Sequence, residues 1–176
     1  MSDRIHASGG EVIAVSVDSA ERQAAMFRRW PTPSVTYVSD PGGQTYLRPM
    51  EMYDPDERGG IGRPGLFVID PDGNEIVAHR GTDFADRRDD EDVLAALAAI
   101  GLEPIEPVTG GPVDDTVDVD QPGAFTPAMF GPYFRGNRFG AHAIAVRAEG
   151  DEARALATEH REMCDGFLAA WKQVRS

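Results

Sequence analysis

The chain has 176 residues, 41% hydrophobic and 27% charged, enough for one domain with a real core or for a domain with an appendage. Its 30 acidic and 17 basic residues give a net charge of -13, which repels phosphate backbones and excludes nucleic acid as an expected partner. The one cysteine, Cys164, rules out an intramolecular disulfide or a paired-thiol site and suits a reducing compartment. No apolar run resembles a secretion signal or approaches the ~18 residues that span a bilayer, so the expected location is cytoplasmic, with no membrane partner.

Residues 11–18 are rich in Val and Ile and read as a strand buried on both faces. Asp18, three residues before Glu21, predicts a capping box and a helix to about Trp30, with Ala20, Ala24, Phe27 and Trp30 inward. Pro31 and Pro33 stop that helix, because proline lacks the donor a helix interior needs. Residues 35–38 read as a second strand and Asp40-Pro41-Gly42-Gly43 as a turn. Residues 44–53 are expected to form a short helix broken at Pro49, and residues 54–62 a loop.

Residues 66–69 read as a third strand, and Pro71-Asp72-Gly73-Asn74 as the turn into an antiparallel return strand over 75–79. Residues 89–100 predict a helix with acids in its first turn and Val93, Leu94 and Leu97 inward; Gly101 ends it. The pattern divides the chain into a core over 1–102, an extended Pro/Gly/Asp linker over 103–122, and an aromatic-rich strand–helix segment over 123–176. In that last segment 142–147 reads as a strand and 151–174 as one long helix. Ala153, Ala157, His160, Cys164, Phe167, Trp171 and Val174 draw an apolar seam along it.

Three runs carry a resemblance: Val12-Ile13-Ala14-Val15-Ser16-Val17-Asp18-Ser19; Ser39-Asp40-Pro41-Gly42-Gly43; and Arg63-Pro64-Gly65-Leu66-Phe67-Val68-Ile69-Asp70-Pro71-Asp72-Gly73, followed by His79-Arg80-Gly81. In this order they resemble the alkyl hydroperoxide reductase / thiol-specific antioxidant group of peroxiredoxin-like proteins, over about residues 11–102. The resemblance implies an α/β, thioredoxin-like fold, with Arg63 at the position of the family's supporting arginine and Pro64 at that of its cis-proline. Arg63, Pro64 and Gly65 would then line a binding groove. The family's reactive cysteine, activated at a helix N-terminus, has no counterpart in residues 1–10.

The expected fold is therefore a thioredoxin-like sheet that is incomplete or circularly permuted, with a C-terminal strand–long helix extension. Three arrangements stay open. The 142–147 strand fills the vacant central place in the sheet, or the C-terminal unit docks on another protein or exchanges between copies, or a cysteine-bearing segment precedes Met1. Phe130, Tyr133, Phe134 and Trp171 are the candidate interface, pointing to a homo-oligomer or a protein partner. The expected function is a redoxin-type scaffold without a working peroxidatic cysteine, acting in binding or assembly. The alternative is a thiol-dependent peroxidase using Cys164 or a partner's thiol. His160 stands four residues before Cys164 and shares its face, as a thiolate–imidazole pair or as neighbours on a packing seam. His6, His79 and His142 show no ligand spacing, so neither metal nor cofactor is expected.

Overall fold

A computed structural model describes residues 1–83, 86, 88–107, 116–120 and 123–174. The fold is mixed α/β and divides into two compact units, Met1–Gln121 and Pro122–Ser176.

In the first unit, helix α1 (Ser2–Ala7) precedes strand β1 (Val12–Ser16), helix α2 (Ala20–Arg29) and strand β2 (Val35–Ser39). β1 and β2 pair in parallel from Val12 opposite Val35 to Ser16 opposite Ser39, with α2 as the crossover that parallel strands require. The helix is capped by Ser19, whose hydroxyl accepts the Arg22 amide, rather than by Asp18. Asp18 instead accepts the Ser16 hydroxyl and pairs with Arg22. Gln23 joins helix to strands: its side-chain amide donates to Ser16 Oγ at 3.1 Å and to the Val38 carbonyl at 2.9 Å. Ala24 and Ala25 are buried and Phe27 meets the Tyr37 ring edge-on, whereas Ala20 and Trp30, expected inward, are exposed. β1 is not buried on both faces either, because Ile13 is 62% exposed.

Beyond β2, the expected short helix over 44–53 is a string of turns after a 3₁₀ turn at Pro41–Gly43. Asp40 organises them. Its carboxylate accepts the amides of Thr45, Tyr46 and Leu47 at 3.0, 2.9 and 3.0 Å, and its carbonyl accepts that of Gly43. The turns bury Leu47 and Met52 and lead into β3 (Tyr53–Asp54), which pairs with β4 (Ile61–Gly62) inside the expected loop. Strands β5 (Gly65–Ile69) and β6 (Glu75–Arg80) form the expected hairpin, with Asp70 accepting the amides of Asp72 and Asn74 at its turn. Helix α3 (Asp90–Ala99) starts at Asp89, whose carboxylate caps it, and buries Leu94.

Among the described residues the strands form three separate two-stranded sheets, β1–β2, β3–β4 and β5–β6, and no strand lies between β1 and β5. Of the three open arrangements, the filling of that place by a 142–147 strand is overturned, because these residues are helical. Helix α4 (Pro127–Arg147) continues through them and is followed by helix α5 (Asp151–Val174), so the C-terminal element is a pair of helices rather than a strand–helix unit. His142, Ile144 and Val146 alternate with alanines and mimic a strand. Those alanines are strong helix formers, and Ala141, Ala145 and Ala148 extend the inner face that Gly131, Phe134 and Arg138 begin, in steps of three and four.

Part of the expected linker is fixed in place. Ile105 donates its amide to the His6 carbonyl, and Val117 is buried with Ala24 and Ala25. Arg28 donates to the Val117 carbonyl, and Arg29 to the Val119 carbonyl and the Asp120 carboxylate. Residues 108–115 and 121–122 of that linker lie outside the described residues.

Candidate functional site

The Arg63-Pro64-Gly65 segment leads into β5 and is held by backbone bonds on both sides. The Arg63 amide donates to the Met52 carbonyl at 2.7 Å, and the Gly81 amide to the Pro64 carbonyl at 2.8 Å. The peptide bond before Pro64 is trans, which departs from the cis-proline that the family resemblance implies. The Arg63 guanidinium reaches the Asp54 carboxylate at 3.3 Å. Asp54 is held below the usual carboxylate range, chiefly by the Asp56 amide, against the opposing effect of burial and with help from Glu57 and Arg63. Arg63 is thus engaged with a carboxylate of its own hairpin.

Gly65 is exposed, yet a Cβ there would stand 2.6 Å from Met52 Cε and 3.1 Å from a Phe67 ring carbon. The glycine serves the packing of buried Met52. Gly65→Ala is expected to lower unfolding free energy by about 1 kcal/mol, as Met52 gives way at its flexible end, measured by urea denaturation.

At the far end of β6, His79 Nε2 stands 3.2 Å from Asp86 Oδ1, and Thr82 donates through its amide and hydroxyl to Asp86 Oδ2 at 2.9 and 3.2 Å. The Thr82 amide, more than any other group, holds the Asp86 carboxyl below its ordinary range; burial opposes, and the Thr82 hydroxyl and His79 assist. With Gly81 bonded to Pro64, His79 of this pair stands two residues before the proline's hydrogen-bond partner. The sequence shows it only as a histidine seven residues before an aspartate, across a glycine turn. Arg80 leaves the strand on the other side, pairing with Glu75 at 2.9 Å and lying 4.9 Å from the Phe67 ring centre.

A second histidine that spacing did not single out is His6. It is buried, its Nε2 has no hydrogen-bond partner, and the Glu11 carboxylate lies 3.9 Å away. Two groups do not make a metal centre, and no cluster of three ligating side chains occurs among the described residues.

In the second unit, the aromatic residues assemble where the start of α4 meets the end of α5. The Phe130 ring stacks on Trp171 at 4.6 Å and leans on Phe134 at the same distance, Phe134 meets Phe167 at 4.7 Å, and Tyr133 stands edge-on to Phe134 at 5.1 Å. The candidate interface residues Phe130, Tyr133, Phe134 and Trp171 thus belong to one cluster inside the helix pair. Phe134 is buried in it and Tyr133 is exposed at its side.

Cys164 lies on the inner seam with Ala157 and is fully buried. Burial pushes its thiol above the usual cysteine range and Asp165 adds to the shift, while Arg138, paired with Asp165 at 2.5 Å, acts in the opposite direction. His160 sits one turn earlier, partly exposed. This is the environment of a protonated packing thiol, since a reactive thiolate needs exposure and a net cationic surround. Cys164 belongs to the second unit and the Arg63–Pro64 segment to the first. No helix among the described residues is long and apolar enough to cross a membrane. No protein-family model matches the chain, and no curated protein or solved structure matches it.

Proposed function

We propose that this protein is a peroxiredoxin-like scaffold without a working peroxidatic cysteine, and that it acts by binding and assembly. The observation that carries the reading is the condition of Cys164: the chain's one thiol is sealed in a helix seam and biased toward its protonated form. Thiol peroxidases work through an accessible thiolate that attacks the O–O bond, and burial removes both requirements. The redoxin resemblance rests on residues 11–102, above all on the run from Arg63 to Gly73 that forms β5 and its turn. The thiol-dependent alternative, with His160 assisting Cys164, would need the seam to open first.

Assembly finds its material in the second unit. Two helices bury one side of each other, and large apolar side chains stand on the sides left open. Hydrogen peroxide consumption by the reduced protein tests the reading. The expected rate equals that of buffer with reductant alone, for wild type and Cys164→Ser alike. Turnover that vanishes in Cys164→Ser would overturn it.

A further inference from the structure

Helix α4 has no apolar and polar halves. Phe134 and Ala141 are buried against α5, yet Phe139 is 64% and Val146 68% exposed on another side, seven residues apart and so on one face. Large apolar side chains exposed along one face of a helix mark a surface that is normally covered. Helix α5 carries a matching stripe beside its inner seam. Leu156, Phe167 and Val174 follow at intervals of 11 and seven residues, which keeps them on one face; Leu156 is 62% and Val174 76% exposed.

Charge says what covers these stripes. Residues 1–121 hold 24 acids against 10 bases, so copies of the first unit repel one another. Residues 122–176 hold six acids against seven bases, which removes that obstacle. Within this unit α4 carries Arg135, Arg138 and Arg147 and no acidic residue, whereas α5 carries five acids against three bases; with Arg138 and Asp165 paired inside one copy, two arginines on α4 and four acids against three bases on α5 remain. Like helices facing each other would bring arginines to arginines. An α4 facing the α5 of a second copy brings a basic helix to an acidic one, and a two-fold axis repeats the same contact.

We infer that two copies of this chain associate through their C-terminal helix pairs, α4 of each on α5 of the other, as a four-helix bundle. The bundle covers the Phe139–Val146 stripe with the Leu156–Phe167–Val174 stripe. Helices α4 and α5 span 21 and 24 residues, long enough to offer the roughly 800 Å² per partner of a standard interface. The inference deepens the assembly reading proposed above and rests on it.

The test is the mass of the full chain by size-exclusion chromatography with light scattering, from micromolar to about 100 µM. A dimer, twice 19.1 kDa, is expected. Phe139→Glu and Leu156→Glu are each expected to raise the dissociation constant at least ~100-fold while helix content by circular dichroism is kept. A wild-type monomer at the highest concentration overturns the inference without any variant. So does a dimer that survives both substitutions in folded protein, since the contact then lies elsewhere. Peroxide turnover measured on the same samples separates the two claims. A dimer that consumes peroxide through Cys164 defeats the scaffold reading and leaves the bundle standing. A monomer that does not consume peroxide defeats only the bundle.

Discussion

Cys164 in the native protein is expected to react with a disulfide reagent such as dithionitrobenzoate at least ~100-fold more slowly than in urea-unfolded protein. Three conditions combine to produce this. The side chain has no exposed surface, so reagent reaches it only when α4 and α5 part. Burial and the adjacent Asp165 favour the neutral thiol as long as the seam is closed, so a reactive thiolate forms only in the fraction that opens. The Arg138–Asp165 pair across the seam holds the helices together at the same level. Because Arg138 pulls the thiol in the favourable direction, Arg138→Ala is expected to raise it further while loosening the seam. The labelling rate of that variant therefore separates access from ionisation: faster labelling means access dominates, and unchanged or slower labelling means ionisation does. Native wild-type labelling within a few-fold of the unfolded rate would contradict the buried position of the thiol and revive the enzyme reading.

The elements most legible in the sequence are those whose signal is local and whose packing agrees with it. β5 and β6 carry a hairpin turn between two apolar runs, α3 has an aspartate cap and an acidic first turn, and α5 has a seven-residue repeat of small and apolar residues. The misread elements are those where two periods coincide. Residues 142–147 satisfy both an alternating pattern and a helical one, and only the preceding inner-face residues Phe134, Arg138 and Ala141 decide between them. The helix expected over 44–53 is a string of turns instead: Pro49 has no amide to donate, Glu51 takes a positive φ, and Asp40, which the sequence presents merely as a turn former, holds the amides of Thr45, Tyr46 and Leu47. Within the candidate site, Arg63, Pro64 and Gly65 were visible as a motif, but their partners Asp54, Gly81 and Met52 were not. Those partners arrive through the β3–β4 hairpin and the turn after β6, which carry no periodic signal. The pairing of His79 with Asp86 is not legible in the sequence for the same reason.

Asp40→Ala is expected to lower the melting temperature of the first unit by roughly 10 °C, more than any single polar substitution on its surface. Asp40 is nearly inaccessible, and its carboxylate is the acceptor for three successive backbone amides. Removing it leaves the Leu47 amide unpaired in the interior and frees the turn at Thr45 and Tyr46, and an unpaired buried donor costs more than a hydrogen bond contributes. The turns it holds position Leu47 and Met52 under β4 and β5, so the loss spreads to the Arg63–Gly65 segment through the Arg63 amide on Met52. The same carboxylate gives a pH signature. Burial alone would push it up, but the amides of Leu47, Thr45 and Tyr46 more than offset that and hold it below its ordinary value. A carboxyl depressed in the folded state contributes its stability above the unfolded-state value of about 3.9, and loses it as pH falls through the lower folded-state value. Asp54, Asp70 and Asp86 are depressed as well and add to the same acid lability. Asp40→Asn keeps one acceptor oxygen but no charge. It is expected to melt lower than wild type at pH 7, with the gap narrowing as the pH is taken below about 4. A gap that stays constant across that range would mean the carboxylate charge plays no part in holding the turns.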